Sequence, residues 1–164
     1  MRRRREPDGG AEPPTTDIRI VALRLLGRRD YTTAELTEKL EQRGYEDDAI
    51  AALTKALRAD RLLDDRRVAE AHVRSASRIK RRGRLRIERE LLARGIDRSA
   101  AQNAVATLSA DDDLAAIRQI LARKRVPQRL DPAARRRLFQ HLMRRGFSAD
   151  AISKVLGRRD DDDE

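Results

Sequence analysis

Few residues in this 164-residue chain have the types that chemistry needs, and their spacing does not suit catalysis. The two histidines, His72 and His141, have no serine or carboxylate placed to complete a nucleophilic triad. Both fall in helical patterns, where a structural role is the simpler expectation. Asp64–Asp65 and Asp111–Asp112–Asp113 could offer oxygen ligands to a hard cation. Each run, however, stands just before a helical stretch, where negative charge is favoured by the helix dipole alone. The absence of cysteine excludes disulfides, thiolate metal sites and cysteine nucleophiles. No glycine pattern of the Walker or dinucleotide type is present. No catalytic residue, metal site or cofactor is therefore expected, and the chain reads as a binding protein that is not an enzyme.

The remaining chemical signal is positive charge. The chain carries 38 Lys+Arg against 28 Asp+Glu, a net +10 with a pI near 11.0. Residues 17–60 are nearly neutral, with 8 basic and 9 acidic side chains, whereas 61–110 hold 13 and 6 and 111–157 hold 11 and 5. Two segments concentrate the excess. In RIKRRGRLRIERELLAR, residues 78–94, the candidates are Arg78, Lys80, Arg81, Arg82, Arg84, Arg86 and Arg89. In residues 123–145 they are Arg123, Lys124, Arg125, Arg135, Arg136 and Arg137. Such runs suit phosphates or an acidic protein surface; the plainer alternative is a solvated helix face.

Aromatic content narrows the choice. Only two Tyr and two Phe are present, too few for a platform on which single-stranded bases stack. Any nucleic-acid contact should then be to phosphate, salt-sensitive and indifferent to sequence. A major-groove helix such as DAIAALTKAL, residues 48–57, is disfavoured because it is Ala-rich and lacks the Asn, Gln and Arg side chains that read base edges.

The elements that must carry these charges announce themselves by repetition. LEQRGYEDDAI at 40–50 returns as LLARGIDRSAA at 91–101 and LMRRGFSADAI at 142–152. Setting Gly44, Gly95 and Gly146 at the C′ position of a Schellman ending puts leucine at C3 (Leu40, Leu91, Leu142) and an apolar residue at C″ (Tyr45, Ile96, Phe147). Arg43, Arg94 and Arg145 precede the glycines, where a cation meets the negative helix end. Position 46/97/148 offers an N-cap as Asp97 or Ser148. Apolar columns at Leu36/Ile87/Leu138 and Ile50/Ala101/Ile152 extend the pattern, and a further helix precedes each pair.

The expected architecture is all-α: tandem three-helix repeats, three units, forming an elongated and curved helical array. The boundaries expected are a disordered N-terminal arm at 1–16, repeats at 17–60, 61–110 and 111–157, and an acidic disordered tail at 158–164. The tail could fold back on the basic surface and compete with a partner, although a solvated end is the simpler expectation. No run approaches the roughly 18 apolar residues of a membrane span, and the basic start lacks the apolar stretch of a secretory signal. A cytoplasmic monomer follows as the expectation.

Residues 62–96, LLDDRRVAEAHVRSASRIKRRGRLRIERELLARGI, resemble the signature of the RecX family, regulators of the RecA recombinase. The pattern maps onto Asp65, Val68–Ala69, Val73, Gly83, Ile87, Glu90–Leu91 and Gly95–Ile96, and the resemblance runs over about residues 18–156, including Arg-Arg-Gly-Phe at 144–147. Val68 and His72 stand where the family favours aromatic residues, which bears on the packing of that helix. The resemblance implies a chain that lies along the groove of the RecA filament on single-stranded DNA. It would limit filament extension, ATP hydrolysis, strand exchange and co-protease activity, and so act on homologous recombination, DNA repair and the SOS response. On that reading the basic segments 78–89 and 123–137 would face acidic RecA surface or DNA phosphate, and replacing Arg81, Arg82, Arg84 and Arg86 would weaken filament binding, with DNA contact weak and non-specific. The rival reading is a sequence-independent DNA-binding protein that acts without RecA. A helical adaptor for an unrelated acidic protein is a third.

Overall fold

All three glycine turns close as the sequence pattern requires, and each by the same two backbone hydrogen bonds. In the computed structural model, which describes residues 16–161 and the side chains of 16–157, Tyr45 N–H reaches Leu40 O and Gly44 N–H reaches Glu41 O. Ile96 and Gly95 repeat this onto Leu91 and Leu92, and Phe147 and Gly146 onto Leu142 and Met143. The glycines sit in the left-handed region at φ 81°, 76° and 89°. Five of the six residues at C3 and C″ are buried, Phe147 completely; Tyr45 is half-buried and donates its hydroxyl to Thr16 O at 2.8 Å. Residues 1–15 and 162–164, with most of the expected N-terminal arm and the end of the tail, lie outside the described residues.

The described residues form nine helices and no strand. The first repeat is α1 (Ile18–Leu26), α2 (Thr33–Glu41) and α3 (Asp47–Ala59). The second is α4 (Asp65–Arg74), continued by a π turn at Ser75–Ile79, then α5 (Arg84–Ala93) and α6 (Arg98–Val105). The third is α7 (Ala110–Arg123), α8 (Pro132–Arg144) and α9 (Ala149–Asp161). Helix α9 thus runs four residues into the stretch expected to be a disordered tail. Caps explain most of the starts. Asp17, Asp97 and Asp131 accept from first-turn amides, and Thr32 and Ser109 close reciprocal boxes with Glu35 and Asp112.

The chain divides into two compact units, residues 1–64 and 65–164. The first holds one apolar core built on Ala22, Leu36, Leu40, Ile50 and Leu57. The second contains both remaining repeats, each with its own core: Val73, Ile87, Leu91 and Ala101 in one, Ile117, Leu121, Leu142, Phe147 and Ile152 in the other.

Within the second unit the two repeats meet at a backbone seam. Gly83 N–H donates to Arg145 O at 2.9 Å, and Leu85 N–H to Gly146 O at 3.1 Å. A Cβ on Gly83 would lie 2.3 Å from the carbonyl atoms of Gly146, and one on Gly146 would lie 2.3 Å from Arg86 Cβ. Gly146 therefore serves twice, ending α8 and admitting α5.

Three helix ends use arginine where glycine is usual: Arg61, Arg81 and Arg125 have φ 57°, 47° and 50°. Leu62 N–H bonds Leu57 O and Val126 N–H bonds Leu121 O, the same C″-to-C3 bond as in the glycine turns. A left-handed arginine costs about 1 kcal/mol that glycine avoids.

Substitution separates the two duties of the turn glycines. A Cβ on Gly44 meets nothing within 4 Å, so Gly44→Ala should cost only the left-handed strain, about 1 kcal/mol. Gly146→Ala must also force the seam apart and should cost about 3 kcal/mol or more. Urea denaturation followed by circular dichroism checks the contrast; equal midpoints for the two variants would count against the seam.

Candidate interaction surface

The basic segment 78–89 turns out to be largely an internal device. Arg82 Nη1 donates to Glu90 Oε2 at 2.6 Å, Arg86 Nε to Glu90 Oε1 at 2.8 Å, and His72 Nε2 lies 3.1 Å from Glu90 Oε2. One carboxylate thus gathers α4, α5 and the loop between them. Partial burial pushes the Glu90 carboxyl upward, but the hydrogen bonds from Arg86, Arg82 and His72 outweigh it and hold the group below the usual carboxylate range. Arg84 Nε meets Asp113 Oδ2 at 3.0 Å, joining the second repeat to the third. Asp113 is only 4% exposed. Burial raises its carboxyl above the ordinary value, and Arg84 offsets part of that rise. Arg81 Nε donates to Gln119 Oε1 at 2.9 Å, a second bridge between the repeats.

Arg145 was expected to serve its own helix end, as Arg43 does by donating to Lys39 O at 2.6 Å. Instead the Arg145 guanidinium crosses the seam. It donates to Lys80 O and, at 3.2–3.3 Å, to Arg81 O, the carbonyl end of the π turn. The dipole argument holds, but the helix end belongs to the neighbouring repeat. Burial and the surrounding Arg86, Arg82 and Arg81 lower the Arg145 pKa. The cations are crowded enough here to repel one another.

The π turn has a local cause. Ser77 Oγ donates to Val73 O at 2.8 Å, competing with the amide ladder, and Lys80 N–H closes onto Ser75 O.

The other candidates face outward. Arg78, Lys80, Arg123, Lys124, Arg125, Arg136 and Arg137 are exposed. Arg89 is exposed too, with its Nε on Leu85 O of its own helix at 3.1 Å. Arg135 is half-buried and donates to Leu156 O at 2.6 Å, tying α8 to α9. Arg144, which the sequence reading did not single out, is exposed seven residues after Arg137, on the same face of α8. Burial first, and then the charges of Lys124, Arg145 and Arg144, depress the pKa of the half-buried His141 ring. Nε2 of that ring is buried without a hydrogen-bond partner among the described residues.

A cleft of about 570 Å3 lies between the first helices of the second and third repeats. Arg74, Arg78 and Arg82 line one wall, and Asp112, Asp113 and Gln119 the other. Its charges are mixed, and most serve internal pairs or caps. Asp112 caps its own helix through Ser109, whose hydrogen bonds lower its pKa. No group of three or more His, Asp or Glu among the described residues is arranged to hold a metal ion. No helix among them is long and apolar enough to cross a membrane.

Fold and surface define a class: a tandem three-helix repeat protein that presents cations from its second and third repeats. The chain belongs to the RecX family of regulatory proteins. Its pattern matches the first, second and third RecX three-helix domains at residues 19–58, 64–105 and 111–156. It is 38% identical over 152 residues to Regulatory protein RecX of Halorhodospira halophila, covering 90% of this chain and 91% of that one. It is 35% identical over 144 residues to Regulatory protein RecX of Pseudomonas entomophila, covering 87% and 92%. The crystal structure of RecX from Lactobacillus salivarius shares the fold at a TM-score of 0.79 and 23% identity, over 87% of this chain and 94% of that one.

Glu90 offers a test with a sign. Its carboxyl is held low in the folded state, so its stabilisation is present above the unfolded carboxylate pKa of about 4.3 and is lost as pH falls through the folded value. Glu90→Gln should therefore cost about 2 kcal/mol at pH 7 and less in acid, where the native carboxylate is itself protonated. Stability measured from pH 2 to 7 checks this; a cost that does not change with pH would remove the charge from the explanation.

Proposed function

We propose that this chain regulates the RecA recombinase by binding along the RecA filament on single-stranded DNA. It thereby restrains filament extension, ATP hydrolysis, strand exchange and co-protease activity. The observation that carries this reading is family membership across all three repeats, joined to an excess of positive over negative charge in the second and third. Binding that favours a non-extending filament over a growing one shifts the population by its differential affinity, with no chemical step required. The chain acts in the cytoplasm as a monomer. The near-neutral first repeat contributes surface shape, and the basic repeats contribute attraction to DNA phosphate and acidic protein.

The contact residues follow from what the fold leaves over. Arg82, Arg84 and Arg86 are held by Glu90 and Asp113, and Arg81 by Gln119. Replacing those four with alanine tests the seam before it tests binding. The informative set is Lys124, Arg136, Arg137 and Arg144, exposed on α8 and at the end of α7.

The purified chain should suppress RecA ATPase on single-stranded DNA while binding bare DNA weakly at about 0.15 M salt. Alanine at Lys124, Arg136, Arg137 and Arg144 should leave the thermal unfolding curve in place and weaken filament binding. It should also flatten the salt dependence by about 0.7 per lost phosphate contact. Strong bare-DNA binding with no effect on RecA would instead establish the sequence-independent DNA-binding protein. Unchanged inhibition by the variant would remove these cations from the interface.

A further inference from the structure

Between Ser75 and Leu85 the backbone departs from regular helix three times. The π turn covers Ser75–Ile79, Arg81 sits at φ 47°, and Gly83 is pressed against Gly146 with no room for a Cβ. Ser77 draws the π turn locally, and the residues that follow it are held by the Arg145 guanidinium on two carbonyls and by the Gly83–Arg145 hydrogen bond. The segment so held displays apolar side chains to solvent. Ile79, the last residue of the π turn, is 73% exposed, and Leu85 at the start of α5 is 49% exposed. Met143, 40% exposed, stands in the last turn of α8 three residues before Gly146, whose carbonyl holds the Leu85 amide. None of the three belongs to an apolar core. Lys80, Arg89 and Arg144, all exposed, are their close neighbours in sequence.

We propose that Ile79, Leu85 and Met143 form the apolar centre of a protein-docking surface whose rim is cationic. It fits a partner surface that sets an apolar spot among carboxylates. This rests on the proposed function, in which that surface belongs to the protein subunits of the filament and not to its DNA. Charge selects the occupant. A second copy of this chain would bring the same cations face to face. Phosphate contact gains nothing from burying aliphatic side chains, and it is already served by the cations of α7 and α8.

The test compares the full chain with an Ile79→Ser/Leu85→Ser variant, with Ile79→Met as the conservative control. Thermal unfolding of the double variant should match the parent, because both side chains are exposed. Its affinity for a RecA filament on single-stranded DNA should fall about tenfold, the loss expected when an apolar interface centre is truncated. Affinity for bare single-stranded DNA should not change, and Ile79→Met should retain filament binding. Equal filament binding by the parent and the double variant overturns this inference alone. A parallel loss on bare DNA overturns it in favour of a wedge between bases, and a parent dimer abolished in the variant overturns it in favour of self-association. Failure of the parent itself to bind the filament overturns this inference and the proposed function together.

Discussion

The close approach of Gly83 and Gly146 sets the terms for the rest of the second unit. With 2.3 Å between either glycine's would-be Cβ and its neighbour, no other residue fits without moving α5 or α8. The contact aligns two backbone hydrogen bonds across the seam and brings Arg145 onto the carbonyl end of the π turn. Those carbonyls would otherwise be orphans of a helix end, and a cation there is favoured twice, by hydrogen bonding and by the dipole. The same approach buries part of Arg145 and brings Arg81, Arg82 and Arg86 near it, and burial first and then these cations lower its pKa. Glu90 and Asp113 are the counterweights. A chain this basic can bury its seam because two carboxylates are spent there.

This accounting divides the arginines by role. A guanidinium has five donors in a rigid fork, and the seam uses that geometry repeatedly, on carbonyls at Arg145 and on a carboxylate at Arg82 and Arg86. A lysine at these positions would hold its charge but lose the fork. The exposed cations of α8 have no such constraint; they need only stand in solvent with the right sign. Net charge counts both kinds alike, so a value of +10 overstates how much of the charge is on offer to a partner.

The fold was legible in the sequence wherever a feature was local. Leu40, Gly44 and Tyr45 lie within one turn of each other, and the same triplet recurs twice, so three Schellman endings and the nine-helix order could be read directly. The ends at Arg61 and Arg125 are not legible in the same way, because they lack the glycine that marks such an ending. Their signal was present in the five-residue spacing of Leu57 to Leu62 and Leu121 to Val126, the same as Leu40 to Tyr45. The π turn escaped because it depends on a single hydroxyl, Ser77, competing with the helix ladder.

Arg81, Arg82, Arg84, Arg86 and Arg135 are engaged by the fold for the opposite reason, because their partners are mostly distant in sequence. Arg86 and Glu90 are four apart on one helix, so that pair was readable. Arg84–Asp113 and Arg145–Lys80 are separated by 29 and 65 residues, and only the folded seam brings them together. Charge density along a sequence is local, whereas the question of which charges remain free is not. In the basic segment 78–89 the fold therefore takes Arg81, Arg82, Arg84 and Arg86 for its own contacts. The side chains it leaves in solvent there, Ile79 above all, are apolar and contributed nothing to the charge pattern. A repeat protein that must grip its neighbour and its partner with the same residue type has to separate the two by position. Here the seam takes the fork geometry and the outer helix faces take the bare charge.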